Sequence, residues 1–402
     1  MIPINLKKIL LNLKSLEWIN PILRSANVYI VGGSIRDAFL GKSIKDIDLI
    51  VEGLPLIKIQ ELLRPYGKVD IVGESFSVIK FKPKGFKGEP YDIATPRMDR
   101  KIGQGHKGFE IITDGVDLLT DLKRRDFTIN SMAANVDTME LVDPFNGLND
   151  LNNNILRAVD KNAFAEDPLR ILRGIGFASR LGFTIEPKTL KLMQENAHLI
   201  KEISGERIFE ELIKILKKGG DTGLALILLN ETNVDKALFN KKISAYTEGF
   251  ESLDIISFFY VLGLLGDVNP ADFLKKRLKG DSKLENDVRT LDKLMELIPK
   301  TRKEEDLRFL LFKAFNRAPS VVNAVVLPPK IDRIISDMKS NKIPMRMDDI
   351  QLTGEDIIII GNLKEGPEIG LIKEIILRDA LMNKFNWKDR NDSIDYLENL
   401  LK

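Results

Sequence analysis

The chain has 402 residues, 44% hydrophobic and 30% charged, with a formal net charge of +2. That length exceeds one compact core and predicts two to four domains. The absence of Cys and the presence of only His106 and His198 exclude disulfides and argue against structural zinc, no apolar run is long enough to span a bilayer, and with so balanced a charge any polyanionic partner would have to be held by local Lys/Arg clusters.

The opening stretch, MIPINLKKILLNLK, is an amphipathic Lys/Leu segment without a signal-peptide core, and it points to the cytoplasm. Residues 1–26 read as one helix. Residues 28–51, VYIVGGSIRDAFLGKSIKDIDLIV, read as strand, glycine turn, short helix, loop and strand. Gly32 and Gly33 allow a sharp turn and a close approach to a ligand. Ser34 is a candidate helix cap whose neighbouring N–H groups face an anion. Asp46 and Asp48 alternate with Ile47 and Leu49, which puts both carboxylates on one strand face. Such a pair repels itself unless a cation intervenes, and Mg²⁺ accepts one or two carboxylates plus phosphate oxygens. An isolated Asp-x-Asp is as readily a solvated strand end. Joined to the glycine turn and Arg36, it describes a nucleotidyltransferase site.

A helix follows over Leu56 to Leu63, then strands near Val69 to Val72, Ser77 to Lys82 and Tyr91 to Ala94, with a turn at Gly85 to Gly88. Residues 99–115 carry four Gly and several charges and read as a mobile loop. From Leu118 the pattern turns helical, and beyond about 150 it stays so, with helices expected over 164–181, 187–197, 205–217, 221–229, 252–265, 270–277, 283–297, 304–314, 318–325, 330–339, 354–361, 367–382 and 390–401. The segment Asp356 to Ile360 is ambiguous between strand and helix. The fold class is α+β, with an N-terminal α/β head and a long all-helical C-terminal arm.

A second constellation is Glu166-Asp167-Pro168-Leu169-Arg170-Ile171-Leu172-Arg173. Asp167 followed by Pro168 is a helix start. A helix wheel then places Arg170, Arg173, Gly176 and Arg180 on one face. Adenine and cytosine each offer an amino donor beside a ring acceptor. A carboxylate with an Arg fork complements that edge, whereas guanine and uracil reverse its polarity. The bland alternative is a capped helix with a solvated Arg face.

The string Gly-Gly-x-x-Arg-Asp-x-x-Leu-Gly followed by Asp-x-Asp resembles motif A of the class II tRNA nucleotidyltransferases and bacterial poly(A) polymerases. Leu122 to Ala133, LKRRDFTINSMA, resembles their motif B, Asp143-Pro144-Phe145 with Gly147 fits the segment after it, and Glu166 to Arg170 resembles their base-reading motif D. Leu352 to Asp356 and Gly366 to Gly370 resemble the tail of bacterial members. The resemblance implies a polymerase-β-like head (1–148), a neck (149–220), a body (221–320) and a tRNA-binding tail (321–402). It implies CCA addition to tRNA from CTP and ATP with two Mg²⁺ ions on Asp46 and Asp48, and Asp92 as a candidate third carboxylate. It also implies that Gly33 and Arg36 contact the triphosphate and that Gly32 and Ser34 belong to the nucleotide-binding set. Arg125, Asp126 and Asn130 bind the nucleotide, with Asp126 reaching the ribose. Asp167 and Arg170 read the base, assisted by Arg173. Alternatives are a partial enzyme adding only CC or only A, a poly(A) polymerase, and a catalytically silent RNA-binding protein. The string Val72 to Val78 looks like the CCA type. Gly176 departs from the family, where many relatives carry Arg, and implies weaker triphosphate binding. Candidate RNA contacts are Lys214, Lys217, Lys218, Lys241, Lys242, Lys275, Lys276 and Arg277.

Overall fold

The computed structural model describes residues 2–44, 46–72, 78–101, 109–243, 249–320 and 329–402. The chain forms two compact units, Met1–Gly220 with Leu228–Lys242, and Asp221–Ile227 with Ile243–Lys402.

The first unit carries strands β1 (Asn27–Val31), β2 (Asp48–Glu52), β3 (Gly67–Val72), β4 (Val78–Pro83), β5 (Tyr91–Ala94), β6 (Met98–Lys101), β7 (Phe109–Ile112), β8 (Ala133–Asn135) and β9 (Leu141–Val142). Seven of them make one sheet in the order β3-β4-β5-β2-β1-β8-β9. Every neighbouring pair in it is antiparallel except β2 with β5. In that parallel pair Asp48 stands opposite Asp92, and Leu49 opposite Ile93. Alternation sends Phe81, Tyr91, Leu49 and Ile93 to one face. There the Trp18 ring packs 5.0 Å from Phe81 and 5.1 Å from Tyr91. The opposite face buries Tyr29, Val31 and Ile50 against Leu118 and Leu122. Asp48 and Asp92 share this second face by register.

The single helix expected over residues 1–26 is two helices, α1 (Ile4–Ser15) and α2 (Asn20–Leu23). Leu16 is extended, with ψ 133°, and Pro21 opens α2. The break seats Trp18 on the sheet. Next come α3 (Gly33–Phe39), α4 (Leu56–Leu63) and α5 (Leu118–Lys123). The sequence from Leu118 reads as helical, yet β8 and β9 complete the sheet. Ala133, Ala134 and Asn135 carry no strand propensity of their own, and β1 recruits them by pairing with its free edge. Residues 99–115 read as a loop, but β6 and β7 pair antiparallel there. The centre of that hairpin, 102–108, lies outside the described residues, as does most of the string 72–78.

Helices α6 (Gly147–Asn152), α7 (Ala163–Glu166), α8 (Leu169–Leu181), α9 (Pro187–Asn196) and α10 (Gly205–Lys217) follow in the same unit. The helix expected over 164–181 is thus divided. Asp167 is extended at φ −137° and ψ 96°, as the residue before a proline prefers. Gly174 on α8 permits a close approach, since a Cβ there would lie 2.5 Å from Met193 Cε and 2.8 Å from Phe127 Cζ. Phe127 stands between Phe164 and Phe177, at ring separations of 6.2 and 5.8 Å.

The second unit is helical among its described residues, with its longer helices at Ile255–Leu265, Ser282–Leu297, Glu304–Arg317, Pro329–Lys339, Gly354–Gly361, Pro367–Leu381 and Arg390–Leu400. The ambiguous stretch near Ile360 is helix, capped by Thr353. Arg390 pairs with Asp356 at 2.6 Å and holds that carboxyl far below its usual range. Arg378 meets Asp306 at 3.0 Å and lies over the Phe309 ring. Most of the helix expected over 318–325 lies outside the described residues. Among the described residues, no helix is long and apolar enough to cross a membrane.

Candidate active site

Gly32 follows β1 with φ 73° and ψ −131° and is the N-cap residue of α3. A side chain there would be strained, and its Cβ would fall 2.8 Å from Arg125 Nη1. The glycine therefore both makes the turn and seats the Arg125 guanidinium on the backbone. Ser34 does not cap the helix. Its Oγ donates to Asp46 O at 2.7 Å and ties the segment before β2 to the start of α3. Arg36 is buried, its Nε donates to Asp37 Oδ1 at 2.9 Å and its Nη1 to Asn130 Oδ1 at 2.5 Å.

Strand β2 begins at Asp48, so Asp46 lies in the segment that leads into it. Asp48 is open to water. Burial nonetheless raises its carboxyl above the usual range, followed by the charges of Asp92 and Asp46, with Arg125 and Lys80 opposing. Asp92 Oδ1 is buried and accepts no hydrogen bond, and Lys80 Nζ lies 3.4 Å from it without hydrogen-bond geometry. Among the described residues, no three acidic or His side chains close on one point as a ready-made metal cage. A carboxylate pair with an excess of negative charge and an open cleft beside it fits Mg²⁺, which takes its remaining oxygens from phosphate and water.

Asp126 is buried and fully engaged. Its Oδ1 accepts from Phe127 N at 2.8 Å and Asn130 Nδ2 at 3.0 Å, and its Oδ2 from Arg173 Nε at 2.9 Å. Burial alone would raise this carboxyl, but Arg173 and the donors around it hold it below its usual range. Asn130 thus stands between Arg36 and Asp126. Asp167 Oδ1 accepts from Leu169 N at 3.3 Å, and burial pushes its carboxyl up against the pull of Arg170. Arg170 is anchored from behind. Its Nη1 donates to Ala163 O at 3.2 Å and its Nη2 to Arg124 O at 2.7 Å.

One cleft of about 1200 Å³ is lined by every expected site residue except Asp92, which stands beside Asp48 in the sheet. The cleft also holds residues that the sequence reading passed over, Arg207 on α10, Phe177 on α8, Arg97 and Arg124. Arg180 and Lys218 reach the same cleft from the ends of α8 and α10. Burial, then the charges of Arg180, Lys214 and Arg36, push the Lys218 ammonium down, which marks this end as cationic. Gly176 is not an empty place in that wall. A Cβ there would point at Ile215 on α10, 3.2 Å from its Cγ1. The difference at 176 thus bears first on how closely α8 packs against α10.

The family described as "Poly A polymerase head domain" matches residues 28–157, and "Probable RNA and SrmB- binding site of polymerase A" matches 182–245. A CCA-adding enzyme of Lactobacillus johnsonii is 37% identical over 205 residues, 48% of each chain, so this match spans about half of that relative. Solved structures of CCA-adding enzymes with CTP and with ATP share the fold at TM-scores of 0.64 and 0.65 and identities of 26% and 25%, covering 97% and 98% of this chain and 93% and 94% of theirs. A CCA-adding enzyme of Lactococcus lactis is 33% identical over 369 residues, 89% of each chain. With likeness sustained over that length and the site residues gathered in one cleft, the chain belongs to the CCA-adding enzyme family.

Proposed function

We propose that this chain adds C, C and then A to the 3′ end of tRNA from CTP and ATP, with no nucleic-acid template. One observation carries the reading: the carboxylates at the start of β2 and the Asp167–Arg170 pair at the start of α8 open on a single cleft. The tRNA 3′-OH attacks the α-phosphate and pyrophosphate leaves. Asp46 and Asp48, with Asp92 beside Asp48, would hold two Mg²⁺ ions, which when bound would supply the charge that lowers the hydroxyl pKa and steadies the leaving oxygens. Arg36, Arg180 and Lys218 form the cationic end that receives the triphosphate. Arg125, resting on Gly32, neutralises charge beside Asp48. At the other end Asp167 accepts from the amino group of the base and Arg170 donates to its ring acceptor, so adenine and cytosine fit. A guanine or uracil there leaves buried polar groups unpaired, at a cost of about 1–3 kcal/mol each. The chain's own contribution is positioning and fixed charge. In this reading residues 1–148 are the catalytic head, 149–220 the base-reading neck, and 221–320 and 321–402 a body and tail that hold the tRNA.

The matched head-domain description favours a second reading, a poly(A) polymerase with the same chemistry on another primer. One experiment separates the readings. Supply tRNAs ending at the discriminator base, at C and at CC, with CTP or ATP separately. Stepwise completion to CCA supports the proposal. An open A tail supports the second reading, and arrest after CC or acceptance of only the CC-ended tRNA identifies a partial enzyme. No incorporation on any substrate overturns both.

A further inference from the structure

Asp121 on α5 is fully buried and does not line the cleft, yet three cleft-lining residues converge on it. Its Oδ1 accepts from Arg124 Nη2 at 2.6 Å, from Arg124 Nε at 3.0 Å and from Arg97 N at 3.3 Å. Its Oδ2 accepts from Arg125 Nη2 at 3.0 Å. Each Arg then acts at a different end of the site. Arg125 Nη1 rests on Gly32 next to Asp48, where the reacting phosphate belongs. The carbonyl of Arg124 accepts from Arg170 Nη2 at 2.7 Å, at the base-reading end. Arg97 leads into β6 and the hairpin.

Two adjacent guanidiniums repel each other unless a carboxylate divides them. Without that carboxylate, Arg125 loses the hydrogen bond that holds it in the Gly32 corner, and Arg124 loses the two that tie its side chain back to α5. We propose that Asp121 is a positioning residue for nucleotide transfer: from behind the cleft it sets Arg125 at the phosphate end and, through the Arg124 backbone, Arg170 at the base end. This rests on the nucleotidyltransferase reading above.

The test is a double-mutant cycle on the full-length protein with Asp121→Asn, Arg125→Ala and both together. It follows the KM and kcat of CTP on tRNA ending at the discriminator base and of ATP on tRNA ending at CC. Asp121→Asn is expected to lower kcat/KM for both nucleotides by about tenfold or more, and in the Arg125→Ala background to cost less than half that factor, the remainder coming from the Arg124–Arg170 arm. A lesion that only loosened the fold would multiply with Arg125→Ala. A full Asp121→Asn loss in that background overturns the proposal, as does wild-type kinetics for Asp121→Asn alone. If Asp121→Asn does not fold, the same cycle is run with Asp121→Glu, which keeps the charge and displaces it by one methylene. Non-multiplicative losses then support the proposal and multiplicative ones overturn it. A wild-type chain that extends no tRNA overturns the functional reading and this inference with it, whereas an active wild type with a multiplicative cycle overturns the role of Asp121 alone.

Discussion

Arg173 Nη2 lies 2.7 Å from Asp126 Oδ2, joining α8 to the segment that follows α5 at the buried side of the cleft. The pair has a pH signature. Asp126 ionises below its usual range in the folded chain. Its stabilisation is therefore complete above the unfolded carboxylate pKa and is lost as pH falls through the lower folded value. Asp126→Asn is expected to destabilise by about 2 kcal/mol, less than a fully buried pair because the Arg173 side chain is 44% exposed. Thermal unfolding checks this: the wild-type advantage should be flat from pH 8 to about 5 and shrink below about 4.

Asp48→Asn should act in the opposite sense on stability. Burial and the charges of Asp92 and Asp46 raise the Asp48 carboxyl, so ionising it costs folding free energy that sets in above the unfolded value and is complete once pH exceeds the folded one. The Asn variant should unfold about 1–3 °C higher than wild type at pH 7 without added divalent cation. The gap should close as pH falls through the ordinary Asp range, where wild type is protonated as well. The same variant should lose nucleotide transfer by at least about a hundredfold. A lower melting temperature in metal-free buffer would count against the charge-crowding account.

Much of this site was legible because its chemistry lies in short local strings. The Gly32–Gly33 turn, Arg36, the Asp46–Asp48 spacing and the Asp167–Pro168 helix start are each set by near neighbours in sequence. What packing creates was not legible. Asp92 was named only through the family resemblance, because it meets Asp48 through the parallel pairing of β2 and β5, which no local pattern announces. Arg207 and Lys218 reach the cleft because α10 packs on α8. Ser34 looks like a cap, but Gly32 takes the N-cap place, and Ser34, already inside α3, donates its hydroxyl to the Asp46 carbonyl. Gly176 lies on an Arg stripe drawn on a wheel, yet Ile215 occupies the space in front of it.

Gly174 and Gly176, two residues apart on α8, should respond differently to Ala. At 174 the new methyl would sit 2.5 Å from Met193 Cε and 2.8 Å from Phe127 Cζ. Both neighbours are fully buried, and while the Met193 terminus can swing, Phe127 is held between Phe164 and Phe177. Overpacking costs about 1–3 kcal/mol and exceeds the roughly 1 kcal/mol gained in helix propensity, so Gly174→Ala should destabilise. At 176 the methyl meets Ile215 Cγ1 at 3.2 Å, a squeeze that propensity offsets. Gly176→Ala should fall within about 0.5 kcal/mol of wild type. Urea unfolding of both variants decides it; equal effects would remove the claim that α8 approaches Phe127 more closely than α10.

Lys218 tests whether the cationic end receives phosphate rather than base. Its ammonium is depressed by burial and by Arg180, Lys214 and Arg36, an arrangement an incoming polyanion relieves. Lys218→Ala should raise KM for CTP and ATP by the same factor, about fivefold, because the triphosphate is common to both and the side chain is exposed enough to be screened. The same substitution should flatten the dependence of KM on salt, since one counterion-releasing contact is gone. The measurement is KM for each nucleotide at several KCl concentrations on matched tRNA ends. An effect confined to one nucleotide would move Lys218 to the base-reading end and contradict the polarity assigned to the cleft.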